Sequence, residues 1–283
     1  MVEWALAVLR IAHTPDPDDA YMFYGLVSGA VRVQGFDRVE DIVEDIETLN
    51  RRIVEEGWDI EVSAASAHAY AYMADRYYVM VAGASMGEGY GPVVVSRRHM
   101  SSLEGARVAV PGRYTTARLL LRLATGGGYR EVFARFDRIP DMVLRGEVDA
   151  GLLIHEAQLT YHEMGLVKVL DLWEWWSSVA PGLPMPLGVD VVSKRLGAEA
   201  ARAVREALQE SIRYAWSHHE EALRYASRFA RSGSMEQLSR FVRMYVNERT
   251  LDMGPEGRRA HRLLYEMAWD EKLIPELVEP EFV

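Results

Sequence analysis

The feature that most constrains the fold of this chain is a repeated order of short apolar strand, polar or Gly/Pro-containing turn, and helix. Strand patterns that alternate with helical patterns are typical of βαβ units. Their parallel strands are covered on both faces and therefore consist of continuous apolar residues. The sequence thus predicts an α/β protein with parallel sheets. The segments that predict a strand followed by such a turn are Leu9–His13, Ile60–Ala65, Arg107–Val110 and Ala150–Ile154.

Two segments predict crossings between separate domains. A Gly-Pro dipeptide precedes the apolar strand at 93–95, and the proline-rich segment PGLPMPLG precedes a later strand, VDVVS. If both segments cross one boundary, residues 93–189 form a smaller inserted α/β domain. Residues 1–92 and 190–283 then form a larger, discontinuous α/β domain. Such a two-lobed protein, with two hinge crossings, binds its ligand in the central cleft.

Composition excludes several classes of function. The net charge of −10 argues against a nucleic-acid surface and against docking on anionic membranes, whereas local donors still permit a small anionic ligand. The absence of cysteine excludes disulfides and thiolate chemistry. We find no signal-sequence pattern and no apolar run of the ~18 residues that a membrane span needs, so we expect a cytoplasmic protein. Arginine greatly outnumbers lysine, which fits a thermophilic or GC-rich source.

Polar side chains follow the predicted strands, where the carboxyl ends of parallel strands form ligand sites. The hydroxyls of Ser66, Thr115 and Thr116 occupy expected helix N-cap positions. Free amides at such helix ends also attract carboxylate or phosphate, so two ends from different lobes could bind an anion between them. Helix capping alone also explains these residue types. The candidate substrate-binding residues are Asp19, Ser66, Arg113, Thr115 and Thr116.

His155 is the candidate catalytic base. It follows the buried-looking run 152–154, and its ordinary pKa near ~6.5 leaves the imidazole able to accept a proton at neutral pH. Because side chains alternate along a strand, Glu156 is expected to point away from His155 and is a poor candidate to orient it. A histidine that bonds the backbone at a strand end is the alternative interpretation on pattern alone.

Several motifs, in order along nearly the whole chain, resemble the 1,4-dihydroxy-6-naphthoate synthase family of the futalosine pathway of menaquinone biosynthesis. The motifs are HTPDPDDAYMFYGL, EDIETLNRR, VAVPGRYTTA, FDRIPDMVLRGEVDAGLLIHEAQLTY, LPMPLG, MYVNERTLDMGPEG and the closing PEFV. The resemblance implies a fold like that of the type II periplasmic binding proteins, with two α/β lobes and a cleft. It also implies a carbon–carbon lyase that converts cyclic dehypoxanthine futalosine to 1,4-dihydroxy-6-naphthoate.

The resemblance also assigns expected roles to individual residues. The histidine of the family's Ile-His-Glu motif is its proposed base and corresponds to His155. The family's cleft residues correspond to Asp19, Ser66 and the pair Thr115 and Thr116. Neither a metal nor an organic cofactor is required by this chemistry. The expected partner is a small anionic substrate.

The sequence leaves two alternative functions open and differs from the family at one turn. A chorismate dehydratase-like enzyme of the same pathway would share the fold, and a noncatalytic solute-binding protein for a small carboxylate would need only the cleft. The departure lies in the first turn, where Asp16 and Asp18 add carboxylates that would repel an anionic substrate unless they point away or meet a donor such as Arg113. His68, close after Ser66, is a possible second titrating group.

Overall fold

The computed structural model describes residues 7–231 and 234–283. Residues 1–6 of the predicted larger domain lie outside the described residues. The strands are β1 (Val8–His13), β2 (Arg38–Val43), β3 (Val62–Ser66), β4 (Tyr77–Val79), β5 (Ser85–Gly87), β6 (Val93–Ser96), β7 (Arg107–Val110), β8 (Arg130–Phe133), β9 (Ala150–Leu153), β10 (Val167–Asp171) and β11 (Met185–Ser193).

Helices connect most of these strands and form the C-terminal part of the chain. They are α1 (Pro17–Val27), α2 (Ile46–Val54), α3 (Ala67–Tyr70), α4 (Thr116–Thr125), α5 (Ile139–Arg145), α6 (Ala157–Thr160), α7 (Leu172–Val179), α8 (Gly197–Ser217), α9 (His219–Ala226), α10 (Met235–Tyr245), α11 (Glu248–Leu251) and α12 (Gly254–Asp270). Short 3-10 turns lie at Phe136–Arg138, Tyr161–Met164, Lys194–Leu196 and Ser227–Phe229.

Two separate sheets form the two lobes. The first has the order β2-β1-β3-β11-β4, with β5 paired to β11, and the second has the order β10-β6-β9-β7-β8. The α/β fold class is therefore confirmed, but each sheet is mixed rather than wholly parallel. In the first sheet β1 runs parallel to β2 and β3, and in the second β7 runs parallel to β8 and β9. The antiparallel strands β6 and β11 are those that follow the crossings between lobes.

The strand pairing can be compared with the two predicted domain boundaries, after residue 92 and after residue 189. The first crossing lies between β5 and β6, next to the predicted boundary after residue 92. Residues 185–189 fall in the predicted inserted domain, yet β11 pairs from Met185 onward with strands of the first sheet. We therefore propose that the chain returns to the first lobe between α7 and β11, a few residues before the predicted boundary.

Apolar packing fixes the helices against each sheet. In the first lobe, α1 packs against α8 and α9 over a core that includes Leu9, Phe23 and Ile212, all fully buried. In the second lobe, α5 covers one face of the sheet through Ile139 and Val143. A third buried cluster, which includes Leu49 of the first lobe and Leu120 of the second, joins the two lobes. Apolar packing therefore holds the ends of the parallel strands in place on either side of the cleft.

The contact between α1 and α8 requires a glycine. A Cβ atom added at Gly25 would lie 2.9 Å from the Cα atom of Ser211, and the Ser211 hydroxyl donates to the Met22 carbonyl across the same contact at 2.6 Å. The two helices therefore approach more closely here than a side chain at position 25 would allow.

We predict that Gly25→Ala lowers the free energy of unfolding by about 1–3 kcal/mol, because the backbone of α8 must move to admit the methyl group. Urea unfolding measures this change. Arg202→Ala, on an exposed position of α8, is the control and should change stability by less than about 0.5 kcal/mol. A stabilised Gly25→Ala protein, as expected for an uncrowded helix position, would contradict the close packing.

Candidate active site

A cleft with about 790 Å³ of empty space, counting its open mouth, lies where strand-to-helix turns of both lobes meet. The turns after β1 and β3 come from the first lobe, and those after β7 and β9 come from the second. Sequence-predicted residues that line this cleft are Asp19, Ser66, Thr115, Thr116 and His155. The convergence follows from the parallel pairing of β1 with β3 and of β7 with β9, which puts their carboxyl ends at one edge of each sheet.

Arg113 differs from the other predicted substrate-binding residues. It does not line the cleft, and it lines two other cavities whose walls come from both lobes. Its backbone amide is instead held by a residue of α2, at the junction between the lobes. Arg113 is therefore not one of the residues to which we assign substrate binding in the cleft.

His155 occupies a strained backbone conformation at the end of β9. The strand ends at Leu153, and His155 has a φ angle of 55°, a left-handed conformation that is uncommon for residues other than glycine. The imidazole packs against Phe136, with 4.5 Å between ring centroids, and its side chain is 20 % exposed. This turn brings the ring into the cleft, where its Nε2 atom has no hydrogen-bond partner among the described residues.

Asp16 is the group that faces the other side of the imidazole. Its Oδ2 atom lies 3.4 Å from Nδ1 of His155, while its Oδ1 atom accepts a 2.9 Å hydrogen bond from Arg231. Arg231 also contacts the Glu156 carboxylate at 3.1 Å and lies over the Phe136 ring. Asp16 and Arg231 belong to the first lobe and His155 and Glu156 to the second, so this charge network crosses the cleft.

The network answers two questions that the sequence left open. Asp16 does not stand unpaired near a substrate, because Arg231 rather than Arg113 supplies the donor. Glu156 is directed to Arg231 rather than to His155, as expected from the sequence. Sequence reasoning missed Arg231, which follows a helical region with no local signal of a site. It also missed that Asp16 lies closest to Nδ1 of His155.

Further carboxyl groups line the cleft, namely Asp18, Asp19 and Asp190. Burial raises the pKa of Asp18 well above its usual range, with further contributions from Asp19 and Asp16. Burial raises the pKa of Asp190 in the same way, with a smaller contribution from Asp19. The pKa of Asp19 is also raised by burial, although the His13 charge and hydrogen bonds from Thr14 oppose the shift. Protonated carboxyl groups donate hydrogen bonds, so they bind anionic or hydroxyl oxygens that carboxylates would repel.

Asp190 was not predicted from the sequence, although a signal was present. It interrupts the apolar run GVDVV, it is 1 % exposed, and its Oδ2 atom lacks a hydrogen-bond partner among the described residues. A Cβ atom at Gly83 would overlap this carboxyl at 1.9 Å, so the glycine makes room for it beside the cleft. A single acidic residue within an apolar strand pattern therefore indicates a buried carboxyl group of this kind.

The hydroxyl groups predicted to cap helices make other bonds. Ser66 and Thr115 are N-cap residues of α3 and α4, but neither side chain forms a cap hydrogen bond. The Ser66 hydroxyl accepts from Asn50 at 3.0 Å, and the Thr115 hydroxyl donates to the Gly112 carbonyl at 3.1 Å. The Thr116 hydroxyl donates to the Leu187 carbonyl at 2.5 Å. The first amides of α4, a ten-residue helix, therefore remain available to a ligand at the cleft.

His68, the other sequence-predicted titrating group, lies behind these turns rather than in the cleft. It is 1 % exposed, and its backbone amide donates to the Thr116 hydroxyl at 3.2 Å. Burial, together with the charge of Arg118, lowers the pKa of His68 to about 4. The imidazole is therefore neutral at pH 7 and does not line the cleft.

Glu47 joins the two lobes below the cleft. From α2 of the first lobe, its carboxyl accepts the backbone N–H groups of Arg113 at 2.5 Å and Tyr114 at 3.1 Å in the second lobe. Gly112 permits this approach, since a Cβ atom there would lie 2.3 Å from the Glu47 carboxyl. Burial raises the pKa of Glu47 to about 7, and the two amide hydrogen bonds partly oppose that shift. The junction between the lobes therefore contains a carboxyl that titrates near neutral pH.

Two classes of feature are absent from the described residues. None of the helices in residues 7–231 and 234–283 is long and apolar enough to cross a membrane. The same part of the chain contains no group of three or more His, Asp or Glu side chains arranged to hold a metal ion.

Comparison with known sequences identifies close relatives. A family model described as Menaquinone biosynthesis matches residues 9–270. The chain is 43% identical over 278 residues to the 1,4-dihydroxy-6-naphthoate synthase of Thermus thermophilus, a match that covers 98% of this chain and 100% of that protein. It is 36% identical over 274 residues to the synthase of the same name from Streptomyces coelicolor, with 95% of each chain covered.

Comparison with solved structures agrees on the fold. A crystal structure of an Archaeoglobus fulgidus protein, 48% identical, superimposes with a TM-score of 0.88 over 94% of this chain and 98% of that chain. The periplasmic aliphatic sulphonate binding protein of Escherichia coli superimposes with a TM-score of 0.63, covering 99% of this chain and 94% of that chain. At 11% identity this second likeness concerns the fold alone, which is that of the periplasmic binding proteins.

We predict that the Glu47 carboxyl makes stability depend on pH. Its pKa in the folded protein, about 7, exceeds the ordinary value of 4.5, so between these values the folded state holds a proton that the unfolded chain has lost. Its contribution to stability is therefore complete below pH 4.5 and is lost as the pH rises through 7. Urea unfolding at pH 4.5 and pH 8 measures the loss, which should be roughly 1–3 kcal/mol larger in the wild type than in Glu47→Gln.

Glu56→Gln removes the same charge from an exposed position near the end of α2 and is the matched control. The buried aspartates of the cleft titrate in all three proteins, so the difference between variants isolates Glu47. Equal pH dependence of Glu47→Gln and wild type would contradict this assignment.

Proposed function

The chain belongs to the menaquinone biosynthesis family represented by the 1,4-dihydroxy-6-naphthoate synthases, and from its cleft we propose how it acts as one. It is an enzyme that acts on a small molecule. We propose that it is a lyase that converts cyclic dehypoxanthine futalosine to 1,4-dihydroxy-6-naphthoate. The observation that carries the catalytic proposal is the position of His155, directed into the cleft with Asp16 at its Nδ1 atom.

We propose that Nε2 of His155 removes a proton from a carbon atom of the substrate. This nitrogen has no other partner among the described residues, and the strained turn after β9 directs the ring into the cleft. The electron pair of the broken C–H bond then starts the fragmentation that leaves the aromatic ring. Asp16 stabilises the resulting imidazolium, because a carboxylate near Nδ1 favours the positive charge.

The second lobe offers a site for the substrate carboxylate. Thr115 and Thr116 begin α4 at the cleft, and the first amides of this helix are not used by a side-chain cap. Helix amides bind anions through their N–H groups and the helix dipole. The Asn50 side chain holds the Ser66 hydroxyl, which keeps this oxygen in place for a second substrate oxygen.

The buried aspartates suit the oxygen-rich, sugar-derived part of the substrate. Asp18 and Asp190 line the cleft, and each has a carboxyl oxygen without a hydrogen-bond partner among the described residues. Burial raises the pKa of both groups and so favours their protonated form, which can donate a hydrogen bond to a hydroxyl oxygen. One of them could supply the proton that the departing fragment needs. Closure of the lobes excludes water and aligns the base.

We also propose that the enzyme works in the cytoplasm. Its relatives are named as synthases, and the family model that matches it is described as Menaquinone biosynthesis.

Replacing the base tests the proposed reaction. We predict that His155→Gln lowers kcat for turnover of cyclic dehypoxanthine futalosine by about 10²–10⁴-fold, with a much smaller change in KM, because the variant keeps the cleft but cannot accept the proton. Product formation measured by chromatography gives both constants. His162→Gln, an exposed histidine in the next turn, is the control and should resemble the wild type.

Near-equal kcat values for His155→Gln and wild type would remove His155 as the base. Recovery of unchanged substrate after binding to the wild type would instead favour a noncatalytic binding protein.

Asp16→Asn tests the positioning of the base. The amide oxygen still accepts the Arg231 hydrogen bond, but the negative charge beside the imidazole is lost. We predict a fall in kcat of about 10–100-fold with KM changed far less, because the charged imidazole in the transition state loses its partner. Glu163→Gln, an exposed carboxylate near His155 in sequence, removes the same charge and serves as the control. An unchanged kcat for Asp16→Asn would show that the contact has no role in catalysis.

A further inference from the structure

A second cavity lies behind the cleft, on the outside of α3 and α4. It has about 600 Å³ of empty space, counting its open mouth, and shares none of its wall residues with the cleft. Its walls come from α3, the turn before α4, α4 itself and the segment after α12. The cavity is therefore separate from the cleft in which the reaction of His155 is proposed.

The cavity is strongly basic in a chain whose net charge is −10. Its wall includes Arg113, Arg118, Arg122 and Lys272. Glu131 pairs with Arg118 at 2.8 Å and lies 3.9 Å from Arg122, so one carboxylate serves two guanidinium groups. Neither Arg113 nor Lys272 forms an ion pair within the described residues. The wall therefore carries an excess of positive charge.

The inner wall of the cavity contains a buried imidazole. His68 is 1 % exposed, and neither of its ring nitrogens forms a well-directed hydrogen bond within the described part of the chain, although backbone groups of Thr115 and Leu273 lie near the ring. Burial lowers the pKa of His68, and the positive charge of Arg118 lowers it further. A neutral imidazole in this position can donate one N–H to an anion that enters from the mouth.

We propose that this cavity is a binding site for a small phosphate-bearing anion. Its cationic groups come from three separate segments: the turn before α4, α4 itself, and the chain after α12. Groups that converge from different directions suit the several terminal oxygens of a phosphate better than the two oxygens of a planar carboxylate. Arg113 thus keeps the anion-binding role that its sequence position suggested, but in this cavity rather than in the cleft.

Isothermal titration calorimetry with pyrophosphate at low ionic strength tests the proposal. We compare the wild type with the double variant Arg113→Gln/Lys272→Gln. Both side chains are exposed, and replacing them leaves no carboxylate without its ion-pair partner. Arg32→Gln/Arg202→Gln removes the same charge from exposed positions elsewhere and is the control. We expect binding to the wild type and control to agree within about two-fold, and to weaken at least about ten-fold in Arg113→Gln/Lys272→Gln.

A further variant separates this cavity from the cleft. His155→Gln should bind pyrophosphate as the wild type does, because His155 does not line the basic cavity. No binding to the wild type, equal binding to both double variants, or weakened binding to His155→Gln would overturn the proposal. Tighter binding of citrate than of pyrophosphate would overturn the assignment to phosphate.

Discussion

The approach of Asp16 to His155 is the interaction on which the proposed site depends. A carboxylate buried this deeply is costly unless it is paired, and Arg231 of the same lobe supplies the opposite charge. The other carboxylate oxygen faces His155 of the second lobe at 3.4 Å, so Asp16 also relates the lobes to each other. Glu156 extends the network by binding Arg231. Opening of the cleft would separate Asp16 from His155, so the base that we propose would have its partner only when the lobes are closed.

The remaining carboxyl groups of the cleft are understandable in the same physical terms. Asp18 and Asp190 lack ion-pair partners among the described residues, and burial raises their pKa values, which favours the uncharged form of each carboxyl. In our proposal, these raised pKa values allow a cleft that contains several acidic residues to accept a small anionic substrate. In the proposed site, the amides at the start of α4 and the Ser66 hydroxyl add further hydrogen-bond donors.

The sequence predicted much of this arrangement because the relevant signals are local. Apolar strands followed by polar turns located β1, β3, β7 and β9, and the rule that ligands bind at the carboxyl ends of parallel strands brought Ser66, Thr116 and His155 together. The mixed sheets were not predicted, since pairing direction depends on how the chain crosses between lobes. Arg231 and Glu47 were missed because each acts on a residue distant in the chain. The left-handed backbone of His155 was missed because residue type alone does not predict it.

The protonation pattern of the His155 ring tests the role of the Asp16 contact most directly. If Asp16 orients the base, the neutral imidazole carries its hydrogen on Nδ1, facing the carboxylate, and keeps the Nε2 lone pair for the substrate. Nitrogen-15 NMR of histidine-labelled protein at pH 8 distinguishes the two tautomers, with the His155 signals assigned from their loss in a variant that lacks this residue. We predict a protonated Nδ1 and an unprotonated Nε2. A proton on Nε2 would contradict this assignment, since the atom proposed as the base would then have no free electron pair.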